Sequence, residues 1–304
     1  MSEKRLWAER RADAVRKNLM FEPRGHADMF GAALTEPVQT ASDAGLLFMS
    51  PAGFHPMSGH GVIAVATIAL ERRLLTAPDN RRIVFDTPAG PVRAMVEYHD
   101  QDDGGVSRVT ATNPPSFVLH PGVDVLLPGR RLRADVAFGG EFYAIVDAES
   151  AGVPLDSGRL GDLRNAGKAI AAAVDAAVVA RHPLEASLSG VAGTIFTAPP
   201  QGRGADLRTS LVFANGSVDR SPGGTAMSAV MAVLDAMGLL PENGQFVSEG
   251  LSGEVLEGRL AGRTQLGPTD AVIVSIAGTA HITGDHVFYA ADDDPFRNGF
   301  SFSS

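Results

Sequence analysis

Met57-Ser58-Gly59-His60-Gly61 runs straight into Val62-Ile63-Ala64-Val65-Ala66-Thr67-Ile68-Ala69-Leu70, and the same device recurs near position 223. There Pro222-Gly223-Gly224-Thr225 feeds Ala226-Met227-Ser228-Ala229-Val230-Met231-Ala232-Val233-Leu234. Each stretch is a small, glycine-rich turn opening a helix with almost no charge over three turns. A helix that is apolar nearly all round is a buried one. The unpaired N–H groups of its first turn and the positive end of its dipole make such a start an anion site. Two such starts predict two half-domains closing on one small anion, with the chemistry at positions 58 and 223.

Outward from these helices the pattern is mixed. Strand signals occupy residues 19–48 and 81–119, and a hairpin is expected where Arg82-Ile83-Val84-Phe85 and Val92-Arg93-Ala94-Met95-Val96 flank Pro88-Ala89-Gly90-Pro91. The first buried helix is expected from about Gly59 to Arg73. Two short strands are expected around Gly139-Gly140. Leu160, Leu163, Ile170, Val174 and Val178 mark one face of a helix over about 159–181. Asn215-Gly216 between Ser210-Leu211-Val212-Phe213 and Ser217-Val218-Asp219 is the strongest short hairpin signal in the chain. The second buried helix follows to about Met237, stopped by Gly238 and Pro241. Further strands are expected at Val255-Leu256, at 271–276 and at His286-Val287-Phe288-Tyr289. The strand–helix alternation of a doubly wound parallel sheet is absent, which points to an α+β fold.

At 304 residues the chain is long enough for two domains of about 150 residues each. With 44% hydrophobic and 20% charged residues it reads as an ordinary globular protein. A net charge of −9 and a pI near 5.3 argue against nucleic acid or an anionic membrane as partner, so an anionic substrate must be drawn in by local donors. With no cysteine, disulfides, thiolate metal sites and a cysteine nucleophile are excluded. No apolar run approaches the roughly 18 residues of a membrane span. Residues 1–18 lack the continuous apolar core of a signal peptide, and residues 1–15 read as an exposed helical extension or a partly ordered tail. A cytoplasmic location is expected. His26, His55 and His182 lack ligand spacing, and His281 and His286 make no convincing metal pair. No His-Glu-x-x-His, P-loop or dinucleotide glycine fingerprint occurs, so neither metal nor organic cofactor is expected.

Asp219-Arg220-Ser221-Pro222-Gly223-Gly224-Thr225 and Met57-Ser58-Gly59-His60-Gly61 resemble the two signature motifs of the proline racemase family. That family includes proline racemases, 4-hydroxyproline 2-epimerases and trans-3-hydroxy-L-proline dehydratases. Glu22-Pro23-Arg24-Gly25-His26-Ala27-Asp28-Met29-Phe30-Gly31-Ala32 resembles its opening. Phe85-Asp86-Thr87-Pro88-Ala89-Gly90-Pro91-Val92 and Ala137-Phe138-Gly139-Gly140-Glu141-Phe142-Tyr143-Ala144-Ile145-Val146-Asp147 resemble interior motifs. Asp293-Asp294-Pro295-Phe296-Arg297-Asn298-Gly299-Phe300 resembles its close. The resemblance covers nearly the whole chain. It implies two pseudo-symmetric domains, each a curved mixed β-sheet around a central helix, similar to diaminopimelate epimerase, with the active site in the interdomain cleft. The expected division is 16–119 plus 288–304 for the first half-domain and 120–287 for the second.

The departures from the family are as informative as the match. Its racemases carry a cysteine at each signature, working from opposite faces of the α-carbon; here Ser58 stands at the first position and Gly223, with no side chain, at the second. Ser58 is the candidate general acid/base, although serine just before a helix is also a routine N-cap and a much weaker acid than a thiol. His60 lies about 200° round the helix from Ser58 and cannot act directly as its base. The resemblance gives Gly59 and His60 a place in the substrate pocket, Asp219 the substrate ring nitrogen, and Gly224 and Thr225 the carboxylate clamp; Gly223 offers space and a backbone N–H. A two-base racemase needs a second acid/base on the far face, and losing one removes a factor of about 10² to 10⁴. Elimination of a 3-hydroxyl can use one face-specific base plus some acid at the leaving group, so dehydration of trans-3-hydroxy-L-proline to a pyrroline-2-carboxylate is the leading expectation. Proline racemisation or 4-hydroxyproline 2-epimerisation with serine and a water, and a non-catalytic imino-acid-binding protein, are the alternatives. The expected partner is a small-molecule substrate, with a homodimer compatible with the sequence.

Overall fold

The computed structural model describes residues 1–76, 81–100, 104–241 and 243–301. The chain forms two compact units, Met1–Val109 with Thr279–Ser304, and Thr110–Gly278.

The first unit opens with α1 (Ser2–Arg11) and α2 (Asp13–Met20), followed by β1 (Gly31–Thr35), β2 (Ala44–Ser50) and β3 (Gly53–His55). Then come α3 (Gly59–Glu71), β4 (Arg82–Thr87) and β5 (Gly90–Tyr98). The strands lie in the order β1-β2-β4-β5, with β3 paired to β2. The β2–β4 pair is parallel and the others antiparallel. β2 is buried along its whole length, and the expected 82–96 hairpin forms as β4–β5. α3 ends at Glu71, two residues before the expected Arg73, because Arg73 turns to a positive φ of 56°.

β6 (Val106–Thr112) carries the chain into the second unit. There follow β7 (Phe117–Leu127), β8 (Arg130–Phe138), β9 (Phe142–Asp147), α4 (Ala148–Ala151) and α5 (Leu160–Ala177). β10 (Val191–Ala198), β11 (Leu207–Phe213), α6 (Gly224–Ala236), β12 (Gln245–Glu249), β13 (Val255–Leu266) and β14 (Thr269–Gly278) complete it. The strands run β14-β13-β12-β11-β10-β9-β8-β7 as a mixed sheet. Ser116 and Val272 exchange both backbone hydrogen bonds at 2.8 Å, so the sheet curls until its two ends meet. α6 packs against β7, β8, β9, β13 and β14, and residues 224–233 are all buried. Such an approach requires Gly139: a Cβ there would lie 2.1 Å from the carbonyl oxygen of Thr225. The fold is α+β, as expected.

Three details differ from the sequence reading. The terminal extension is docked, not free: Ala8 is buried, and the buried Arg16 donates to the carbonyl oxygens of Ser50 and Pro51 at 2.6 and 2.8 Å. No strand forms at His286–Tyr289; Val287 and Tyr289 are exposed, and the Tyr289 carbonyl accepts from Arg24 Nη2 instead of a ladder partner. The contact units change over earlier than the expected 119/120 and 287/288. Asn113 and Ser116 hydrogen-bond to β14 within the second unit, and Asp285 pairs with Arg72 within the first. Residues 302–304 of the expected first half-domain lie outside the described residues.

Candidate active site

Ser58, Gly59 and His60 form the start of α3. Ser58 is buried, with φ −152° and ψ 112°, an extended conformation open to any residue. Its Oγ accepts from the Gly61 N–H at 3.2 Å, and its carbonyl accepts from Val62 N at 3.0 Å. Ser58 is therefore an N-cap as well as the candidate acid/base. The amides of Gly61 and Val62 are satisfied in this way. The Gly59 amide, at the first position of the helix, makes no hydrogen bond among the described residues. The His60 ring packs edge-on to Phe30 with centroids 5.7 Å apart. His55 bonds through Nε2 to Ser50 Oγ at 2.7 Å, and His182 packs edge-on to Phe117 and Phe138.

Asp219, Gly223, Gly224 and Thr225 come together at the start of α6. The expected hairpin turn delivers Asp219: Gly216 has φ 91°, Phe213 N donates to Ser217 O, and Asp219 N donates to Leu211 O, both at 2.9 Å. Asp219 Oδ1 accepts from the amide and the hydroxyl of Ser221 at 3.0 Å each, and Ser221 Oγ in turn accepts from Gly223 N at 3.1 Å. The Gly223 amide, expected to serve the ligand, is thus engaged inside the loop. Gly223 sits at φ 76°, where an L side chain is strained. A Cβ there would stand 3.2 Å from Asp219 Oδ2 and 3.0 Å from Ala226 Cβ, so Asp219 borders the space left by the missing side chain. Beyond it the amides of Gly224, Thr225 and Ala226 make no hydrogen bond among the described residues. Three buried donors thus stand without partners at the positive end of a 13-residue helix, a geometry suited to a small anion.

Two residues that the sequence reading left without a role complete this corner. Tyr143, fully buried, places its Oη 2.8 Å from Thr225 Oγ1 and 3.2 Å from Glu141 Oε2. A carboxylate can only accept, so the phenolic proton points to Glu141 and the Thr225 proton points to Tyr143. Burial, and next the Glu141 carboxylate, push the Tyr143 phenol well above its ordinary value, which keeps that proton in place. Thr225 accordingly offers an anion its backbone N–H, while its hydroxyl proton is committed to Tyr143. The signal was in the motif around Gly139-Gly140: Glu141 and Tyr143 are two apart and share one face of an extended segment.

The sequence profile of the proline racemase family matches residues 1–301. The chain is 36% identical over 299 residues to the trans-3-hydroxy-L-proline dehydratase of Bacillus thuringiensis, covering 98% of this chain and 89% of that one. It is 39% identical over 305 residues to the 4-hydroxyproline 2-epimerase of Streptosporangium roseum, covering 99% and 90%. Among solved structures, a "probable proline racemase" from Agrobacterium radiobacter with bound carbonate superposes with a TM-score of 0.91 at 29% identity, covering 99% of this chain and 88% of that one. The chain belongs to the proline racemase family and is an enzyme of it, a lyase or an isomerase.

Proposed function

We propose that the enzyme dehydrates trans-3-hydroxy-L-proline, with Ser58 as its one side-chain base and both helix starts serving a single substrate. The observation that carries this reading is the asymmetry of the two caps: a hydroxyl at 58, and at 223 a glycine at φ 76° whose amide is turned onto Ser221. The substrate carboxylate lies on the amides of Gly224 and Thr225, helped by those of Gly59 and His60, and Asp219 takes the ring N–H₂⁺ as a charge-assisted pair. Ser58 removes the α-proton, its oxyanion favoured by the Gly61 N–H and the α3 dipole. The electron pair of the broken C–H bond forms the ring double bond as the C3–O bond breaks. The hydroxyl, which lies on the same ring face as the α-hydrogen, leaves as water with the proton that Ser58 has taken, and the enamine tautomerises to a pyrroline-2-carboxylate. No acid/base on the opposite face is needed, whereas racemisation requires one.

The 39% identity to a 4-hydroxyproline 2-epimerase favours a second reading, in which a water replaces the missing group at 223. Incubation in deuterated water with trans-3-hydroxy-L-proline, trans-4-hydroxy-L-proline and L-proline separates the two. Pyrroline formation from the first, with little inversion of the others, is the expected result. Rapid inversion of 4-hydroxyproline or proline without pyrroline formation overturns it.

A further inference from the structure

The side chains of β11 alternate between two faces of its sheet. Thr209 lies on the α6 side, its Oγ1 donating to the Pro222 carbonyl at 3.3 Å and sharing a 2.7 Å hydrogen bond with Ser248 Oγ. Val212 lies on the other side, its Cβ in line with Gly167 of α5. Arg208 has the parity of Val212, so it points away from the α6 start and the site described above.

On that outer face Arg208 borders a pocket of about 500 Å³, the size of a small-molecule site. The arginine is only 5% exposed. Its Nη2 donates to the Leu251 carbonyl at 3.3 Å, but neither Nε nor Nη1 has a hydrogen-bond partner. Its cross-strand neighbour Glu249, equally buried, does not supply one: Oε1 stands 3.8 Å from Nε, beyond hydrogen-bonding distance. The other carboxylate oxygen, Oε2, is held by the amides of Gln201 and Gly202 at 2.8 Å each. Those amides, ahead of burial, hold Glu249 below the ordinary carboxyl range, so it stays charged and locked to its loop. Buried guanidinium donors left unmatched cost free energy, and the pocket they border is the direction from which an acceptor can reach them.

We propose that this outer pocket is a second ligand site, which binds a small monocarboxylate through the Arg208 guanidinium. An unmatched guanidinium N–H donates a charge-assisted hydrogen bond to a carboxylate oxygen. Leu155, Pro199 and Leu251 line the same pocket and give a small apolar body a wall. Glu249 already shares the charge of Arg208, and Asp156 also lines the pocket, so each added negative charge weakens binding and a monocarboxylate is favoured over a phosphate dianion.

The test observes the arginine itself. In the ¹⁵N-labelled protein a buried Arg Nε–H gives its own cross-peak, and that of Arg208 is identified by its loss in Arg208→Lys. Benzoate is expected to move this peak saturably, with a Kd of about 1 mM or tighter, while inorganic phosphate leaves it in place. Ser157→Trp fills the exposed rim of the pocket without touching Arg208, and is expected to weaken benzoate binding at least tenfold with the cross-peak retained. The shift is expected to persist in Asp219→Ala, which separates this pocket from the proposed substrate site. A peak that moves only linearly with benzoate, moves equally with phosphate, or is indifferent to Ser157→Trp overturns the proposal. None of these outcomes depends on the reaction assigned to Ser58.

Discussion

α3 and α6 open with nearly the same sequence device, yet their surroundings differ. α6 lies inside a sheet whose ends meet, with residues 224–233 all buried, whereas α3 packs against β1 and β5 and leaves Ile68 39% exposed. Their first turns diverge as well. Ser58 caps α3 and satisfies the Gly61 amide, while α6 has no side-chain cap and leaves the amides of Gly224, Thr225 and Ala226 without partners. On the proposed reading the α6 end receives the carboxylate and the α3 end supplies the reactive hydroxyl, so the two helix starts divide binding from chemistry.

The largest expected effect breaks this division at its reactive end. Ser58→Ala is expected to lower α-hydrogen exchange of trans-3-hydroxy-L-proline, followed by NMR in deuterated water, by a factor of about 10² to 10⁴. Folding is expected to survive, because a lost N-cap costs only about 1 kcal/mol. Ser58→Cys fits the extended backbone at φ −152° and is expected to retain exchange. Unchanged exchange in Ser58→Ala would move the base elsewhere.

The second effect is on stability. At φ 76° a side chain on residue 223 costs about 1–2 kcal/mol, so Gly223→Ala and Gly223→Cys are both expected to unfold at lower urea than the parent. Only the cysteine variant is expected to gain C2 epimerisation, because only it places an acid/base beside Asp219 on the far face. A folded Gly223→Cys with no epimerisation would show that the one-base argument is incomplete.

Much of this organisation was legible in the sequence, and the exceptions have physical reasons. Both buried helices and the Asn215-Gly216 turn follow from local periodicity and turn chemistry, where a few adjacent residues suffice. The 286–289 segment carries an equally good strand pattern, but a strand needs a partner edge, and the carbonyl of Tyr289 is taken by Arg24, far away in sequence. Arg16 reads as a solvent-facing residue of a polar helix, and only the fold shows it buried on the end of β2. At the site, the glycines and Ser58 were readable as a motif. The Tyr143–Thr225 bond joins residues 82 apart in sequence and appears only once α6 is threaded past Gly139.

That bond supplies the third prediction. Tyr143→Phe removes the acceptor for the Thr225 proton, and the hydroxyl is freed to turn toward a bound carboxylate. A several-fold change in KM with a smaller change in kcat is expected, in line with about 1 kcal/mol for one hydrogen bond. Thr225→Val, which has no hydroxyl to redirect, is expected to make the added Tyr143→Phe change nearly silent. If the two substitutions add fully, Tyr143 acts through packing and not through the threonine.

The smallest effect separates the two units by their response to acid. His182 packs edge-on to Phe117 and Phe138, and its Nδ1 accepts from the amides of Leu184 and Glu185 at 3.2 Å, so it is held in its neutral form. Burial lowers its pKa below the ordinary 6.5, with the nearby Glu185 carboxylate opposing more weakly. The unfolded chain therefore binds more protons than the folded one in the window between the lowered value and 6.5. Stability from this group is complete above that window and declines as the pH falls through it. In the first unit, Asp86 is buried, which raises its pKa, but the donors Ser42, Gln39 and Val38 outweigh burial and hold it below 3.8; its contribution is lost only at lower pH still. Hydrogen exchange read amide by amide is expected to show protection in the second unit falling as the pH drops below about 6.5, before the first unit responds. His182→Asn keeps an acceptor and cannot titrate, so it is expected to flatten that decline. An unchanged slope in this variant would assign the acid sensitivity of the second unit to other groups.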